Sequence, residues 1–228
     1  LEDMDMGAYK IASFEITDIP LIEYVASKNK PVIISTGIAS KEDIDLAIKT
    51  CNDAGNDKIA VLKCTSSYPA PIEEANLLTI PDMAKRFNVV AGLSDHSLGD
   101  VVATTATALG ARIVEKHFIL DRNMKSPDAV FSMEPHEFKT MVRKIRETEA
   151  AMGRITYELS EKALSNRRFS RSLFIVRDIK KGDSLTTENL RSIRPAGGLA
   201  PVYIDKLLGK VVNRDIERGT PMKMEYVD

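Results

Sequence analysis

Almost no net charge survives when the 32 basic residues of this 228-residue sequence are set against its 33 acidic ones. A chain balanced to −1 offers no basic field to nucleic acid or to an anionic membrane surface. Long apolar runs are missing too. No stretch approaches the roughly 20 residues of a membrane-spanning helix, and no signal-peptide pattern opens the chain. Cysteine is scarce: Cys51 and Cys64 cannot make a disulfide framework, so two free thiols in a reducing cytoplasm are expected. Histidine is limited to His96, His117 and His136. What remains, 43% hydrophobic and 29% charged residues, is a globular composition and neither a disordered nor a fibrous one.

Five short apolar runs alternate with helical segments. The runs are Tyr9–Phe14, Pro31–Ser35, Lys58–Cys64, Val89–Leu93 and Arg112–His117. Several are continuously apolar, the signature of parallel strands covered on both faces. Helices are expected over Pro20–Ser27, Lys41–Cys51, Ile80–Phe87, Gly99–Leu109 and Pro135–Met152, with a capping box at Ser40–Asp43 and glycine caps at Gly110 and Gly153. This alternation over residues 1–153 defines a parallel α/β domain. Polar side chains gather at the C-terminal end of every strand, which is the habit of a TIM-type (β/α)8 barrel. Five units fall short of eight, and the chain opens at Leu1 in a helix-like stretch before a strong strand. Three further units are therefore expected upstream.

Residues 154–171 read as a polar, basic linker. From Ser172 to Asp228 the pattern is strand and turn, with a weak repeat: Asp178-Ile179-Lys180-Lys181-Gly182 returns 37 residues later as Asp215-Ile216-Glu217-Arg218-Gly219. A small β domain of this length is marginal alone and is expected to lean on a partner surface.

His96 and His117 end consecutive strands, so a barrel would present both at one mouth. Two imidazoles placed this way suit a divalent metal with water and substrate completing its shell, and each alone is equally a structural histidine. His136 opens a helix and reads as a surface residue. Ser13, Ser35, Ser66 and Ser94 at strand ends, with Lys10, supply the donors a phosphate dianion needs, although each serine alone is a turn or cap residue. Glu15 and Asp128 lie at the same rim or its loops. Arg194, before Pro195 and near Gly197-Gly198, could deliver a guanidinium or simply belong to a solvated loop. The run Arg167, Arg168 and Arg171 lacks the aromatic interleaving of a nucleic-acid site.

Read in order, Lys10–Glu15, Ser35-Thr36-Gly37, Cys64–Pro69, Gly92–His96, Glu115–Phe118, Pro127-Asp128 and Ser132–Pro135 resemble the sialic-acid synthase family. The tail from about Ser172 resembles that family's antifreeze-like (SAF) domain. Residues 126–135 and 191–201 look most like its pseudaminic-acid-forming branch. The resemblance implies condensation of phosphoenolpyruvate with an open-chain N-acetylated amino sugar, here 2,4-diacetamido-2,4,6-trideoxy-altrose. It implies that His96 and His117 hold a divalent cation, Mn²⁺ before Mg²⁺ or Co²⁺. Lys10, Ser13, Ser35, Ser66 and Ser94 would hold phosphoenolpyruvate, while Glu15, Tyr68 and Asp128 position sugar and water. Arg194 would reach the barrel mouth of a partner subunit in a domain-swapped homodimer. Three other readings stand beside this one: a neuraminate or legionaminate synthase, a non-catalytic binding module, and a Schiff-base aldolase using Lys63 or Lys116.

Overall fold

The computed structural model describes residues 4–228 and divides into two compact units, Leu1–Arg154 and Ile155–Asp228. In the first, strands β1 (Tyr9–Ile11), β2 (Val32–Ser35), β3 (Ile59–Cys64), β4 (Val90–Asp95) and β5 (Val114–Lys116) pair in parallel in that order. Helices α1 (Ile19–Ala26), α2 (Lys41–Asp53), α3 (Thr79–Phe87), α4 (Val101–Ala108) and α5 (Pro135–Met152) follow the strands one by one. The result is five βα units curled into half a barrel.

Strand alternation divides the sheet's two faces. Ile11, Val32, Ile34, Ile59, Val61, Ala91 and Leu93 face the helices and form one buried core with Ile22, Ala47, Ile80, Met83 and Ala103. The alternate residues, among them Lys10, Cys64, Ser94 and Glu115, belong to the concave face. Helix starts are fixed locally. The Asp18 carboxylate accepts from the Leu21 N–H at 3.2 Å, and Ser40 and Asp43 bond reciprocally as a capping box, each such cap worth about 1 kcal/mol. Gly110 and Gly153 close α4 and α5 with positive φ.

Two expectations shift. The first strand stops at Ile11, because the Glu15 carboxylate accepts the Ala12 N–H at 2.9 Å and folds Ser13–Glu15 into a 3₁₀ turn. The stretch expected to be a patternless linker contains helix α6 (Glu161–Asn166), opened by the Ser160 hydroxyl accepting from Ala163 N–H at 3.2 Å.

The second unit holds β6 (Ser172–Ile175) and β7 (Leu190–Ile193), paired antiparallel, and the short helix α7 (Ile204–Leu207). Leu173, Ile175, Leu185, Leu190, Val212 and Met222 make its core. The sequence repeat is a structural pseudo-dyad. Ile179 and Ile216 exchange both backbone hydrogen bonds, at 3.0 and 2.9 Å. Asp178 accepts from Arg218 N–H at 2.7 Å, and Asp215 accepts from Lys181 N–H at 2.9 Å. Each aspartate thus caps the other copy's turn, and Gly182 and Gly219 take the left-handed φ (94° and 89°) that those turns require.

Candidate active site

The C-terminal ends of the strands carry the polar residues singled out by the sequence. Ser13, Ser35 and Ser94 are buried there, and Ser66 is half-buried. The Ser13 hydroxyl accepts the Gly37 N–H at 3.0 Å, and Ser94 donates to Glu115 at 2.6 Å. Lys10 lies 3.6 Å from the same Glu115 oxygen. The Ser35 and Ser66 hydroxyls, both cut off from solvent, have no hydrogen-bond partner of normal geometry among the described residues, although Ser66 lies near enough to the Tyr68 phenol to favour its ionised form. Orphaned buried hydroxyls cost free energy, and two at one rim leave bonding capacity that a polar ligand could complete.

Gly37 keeps that place open. A Cβ there would stand 2.0 Å from Ser66 Oγ, 2.8 Å from Ser13 Oγ and 3.1 Å from Cys64 Sγ. Only a residue without a side chain leaves this cradle of hydroxyls unfilled.

Beside it stand the two histidines, with ring centroids 5.2 Å apart. His96 Nδ1 is 2.9 Å from the Thr65 carbonyl oxygen. A carbonyl can only accept, so Nδ1 carries the proton and Nε2 keeps its lone pair. His117 Nδ1 lies 3.5 Å from Asp128 Oδ2, again turning Nε2 away from the protein partner. Where imidazoles ligate a metal, a carboxylate or backbone carbonyl on the other ring nitrogen is their usual outer support. Burial and the neighbouring His96 push the His117 pKa below its ordinary value, although Asp128 opposes them. That keeps the ring in the neutral form a cation binds. For His96, burial pulls the pKa down, but its contacts with Cys64 and the Thr65 carbonyl outweigh it and leave the pKa raised. Cys64 answers in kind: burial raises its pKa, and the contacts with His96, Ser13 and Ser94 bring it below the ordinary thiol value. Among the described residues no three His, Cys, Asp or Glu side chains converge as a metal cluster. Two imidazoles whose Nδ1 atoms face a carbonyl and a carboxylate leave two Nε2 donors, so a divalent cation held here would need its other ligands from water or substrate.

Tyr68 packs on His96 (ring centroids 4.3 Å) and on Phe131 (5.5 Å), while Phe131 packs on His117 at 4.9 Å. The half-exposed tyrosine forms one wall of the site. Glu15 is exposed and committed to its own turn, and Arg194 is exposed in the second unit, with no partner among the described residues. Sequence reading passed over Glu115, Cys64 and Phe131. Glu115 shares a strand with Lys116 and His117, and the alternation of that strand is the signal that places it on the concave face.

The aldolase lysines are both engaged. Lys116 donates to Asp95 (2.7 Å), Ser97 O (2.5 Å) and Gly99 O (3.0 Å), which uses all three N–H groups. Lys63 donates to Cys64 O at 2.8 Å, with its pKa pushed down by burial, and it alternates onto the helix-facing side with Leu93. A separate cavity of about 400 Å³ sits at the opposite, N-terminal ends of the strands, lined by Ile33, Ala60, Val90 and Ile113. Its polar lining residues are Asp57, Lys58 and Asn88, none of them among the site residues the sequence singles out.

The half-barrel thus brings a hydroxyl cradle and two oriented imidazoles to the C-terminal strand ends, the face at which TIM-type barrels carry their active sites. The NeuB family model matches residues 1–157 and the SAF domain model residues 170–225. The chain belongs to the NeuB family. It is 46% identical over 98% of its length to the pseudaminic acid synthase of Campylobacter jejuni, spanning 65% of that protein. It is 36% identical over 96% of its length to the N,N'-diacetyllegionaminic acid synthase of Legionella pneumophila, spanning 63% of it. Among solved structures, the spore coat polysaccharide biosynthesis protein SpsE of Bacillus subtilis superposes with a TM-score of 0.66 at 36% identity, covering 100% of this chain and 69% of that one. The chain thus spans about two thirds of the length of the curated relatives it matches.

Proposed function

We propose that this chain carries the phosphate cradle and metal-binding histidines of a phosphoenolpyruvate-dependent nonulosonate synthase whose acceptor is 2,4-diacetamido-2,4,6-trideoxy-altrose. The observation that carries the reading is the contact chain by which the hydroxyls around Gly37 reach the histidines, since Cys64 borders that cradle and lies 3.8 Å from His96 Nδ1. The higher identity to a pseudaminic acid synthase than to a legionaminic acid synthase favours the altrose-derived sugar.

In the reaction, C3 of phosphoenolpyruvate bonds to the aldehyde carbon, whose oxygen takes a proton. Water adds at C2, and phosphate leaves with its bridging oxygen to give the nine-carbon 2-keto acid. A divalent cation such as Mn²⁺, Mg²⁺ or Co²⁺, held by His96 and His117, supplies Lewis acidity toward the aldehyde oxygen. Lys10, Ser13, Ser35, Ser66 and Ser94 bind and orient phosphoenolpyruvate, removing the entropy of bringing two substrates together. Tyr68 and Phe131 shield the reacting carbons, Asp128 orients His117, and Glu15 contributes at the sugar end. Arg194, exposed and without a partner among the described residues, would act on a neighbouring subunit's site in a homodimer. Two free, buried cysteines accord with a cytoplasmic setting, and among the described residues no helix is long and apolar enough to cross a membrane.

The test is product analysis by mass spectrometry. The chain is joined to the portion of the Campylobacter synthase that the match leaves uncovered, and given phosphoenolpyruvate, Mn²⁺ and one sugar at a time. Product from the altrose-derived sugar alone supports the proposal. Turnover of a mannose-derived or legionaminate-type sugar instead would overturn the choice of acceptor.

A further inference from the structure

Behind the two histidines, on the other face of the same two strands, lies a buried ion pair. Asp95 and Lys116 are direct register partners across β4 and β5, their side chains 2% and 1% exposed and 2.7 Å apart. They follow Leu93 and Val114 on the helix-facing side, while Ser94 and Glu115 sit on the concave face. His96 and His117 are their immediate chain neighbours. The Asp95 carboxylate is fully used: Oδ2 accepts from Lys116 and Oδ1 from the Ser97 N–H at 2.8 Å. The Lys116 ammonium spends its remaining two N–H groups on the carbonyls of Ser97 and Gly99. His96 is therefore bracketed by Asp95 and Ser97, both tied to the residue that precedes His117.

A buried ion pair is a poor device for stability, since an apolar pair of similar volume often does as well. What it adds is direction, because each bond fixes an angle as well as a distance. We infer that Lys116, acting through Asp95 and the Ser97–Gly99 loop, is the positioning residue that sets His96 relative to His117 so that both can coordinate one divalent cation. The inference rests on the metal reading of the two histidines proposed above. Lys116 touches no substrate and is not itself catalytic.

Co²⁺ titrated into the 228-residue chain without substrates tests it, read by affinity and by the visible d–d absorption that reports ligand geometry. The parent chain binds Co²⁺, and His96→Ala abolishes binding. The double variant Asp95→Asn/Lys116→Met removes both charges together, so no lone ion is left buried. It is expected to melt within about 5 °C of the parent and to bind Co²⁺ about 10- to 100-fold more weakly, with an altered d–d spectrum. A folded double variant with the parent's affinity and spectrum overturns the inference. A second readout needs no variant. If the clamp is preformed, the Ser97 amide is protected from hydrogen exchange equally with and without Co²⁺, whereas protection appearing only with Co²⁺ overturns it. Parent binding that survives His96→Ala refutes the metal reading itself, a failure distinct from the other two.

Discussion

Lys10 and Glu115 come from the two outermost strands of the sheet and still lie 3.6 Å apart. Curling of the sheet thus brings its first and last strands to bear on one spot, and Glu115 Oε1 is shared there between Lys10 and the Ser94 hydroxyl. Both partners are about a third or more exposed, so the pair adds little stability, about 0–1 kcal/mol. Its effect is electrostatic, since the Glu115 carboxylate offsets the Lys10 ammonium proposed to bind phosphate. Glu115→Gln is therefore expected to tighten inorganic phosphate binding by about 3- to 10-fold at low salt, with the melting temperature almost unchanged. Calorimetric titration with phosphate checks this, and weaker binding would contradict it.

Removing a hydroxyl with no partner of normal hydrogen-bond geometry among the described residues carries little hydrogen-bond loss. Ser35→Ala and Ser66→Ala should leave thermal stability within about 0.5 kcal/mol of the parent, or raise it slightly. Each should still weaken phosphate binding by about 10-fold, since a hydrogen bond to a charged group is worth about 1.5–3 kcal/mol. Loss of stability without loss of phosphate affinity would show these serines to be structural.

Gly37→Ala offers the opposite pairing of effects. The added Cβ overlaps Ser66 Oγ and crowds Ser13 Oγ and Cys64 Sγ. A cost of about 1–3 kcal/mol is expected from overpacking, together with loss of phosphate binding. Thermal melts with and without phosphate separate the two, because the anion is expected to stabilise the parent and not the variant.

Proton binding at His117 gives a prediction in metal-free protein. Its pKa lies below 6.5 through burial and the neighbouring His96, so the folded chain holds this proton more weakly than the unfolded one. Its contribution to stability is therefore complete above the unfolded value of 6.5 and is lost as pH falls through the folded midpoint. His96 has the opposite sign. Its pKa is raised, so its contribution is present below 6.5 and fades as pH rises through its folded value. Removing Asp128, which supports the charged ring, should lower the His117 midpoint further, and His96→Ala should raise it. Imidazole titration by NMR on the parent, Asp128→Asn and His96→Ala measures all three.

Much of this arrangement could be read from local pattern. The helix Pro135–Met152 has the bounds its periodicity gives, because a proline start and a glycine stop are local signals. The strand-end rule likewise brings Ser13, Ser35, Ser94, His96 and His117 to one rim of the parallel sheet. Other features depend on partners distant in sequence. Nothing near Cys64 announces that His96 will face it from 32 residues away, or that Phe131 will stack on Tyr68. Lys116 looked like a candidate nucleophile until its three acceptors were in view. Nor does the sequence announce that Glu15 also accepts the Ala12 N–H and so ends the first strand. The helix Glu161–Asn166 was hidden by its shortness, since six residues carry too little periodicity to stand out.

The central claim joins the hydroxyl cradle to the two histidines as one reactive site. Its most direct test is the rate of inorganic phosphate release from phosphoenolpyruvate, with the altrose-derived sugar and Mn²⁺, by the chain joined to the uncovered portion of its Campylobacter relative. The account predicts release that requires the sugar, stops with a chelator, and falls by at least about 100-fold in His96→Ala. Sugar-dependent release that persists undiminished in His96→Ala, or in the presence of the chelator, would contradict it.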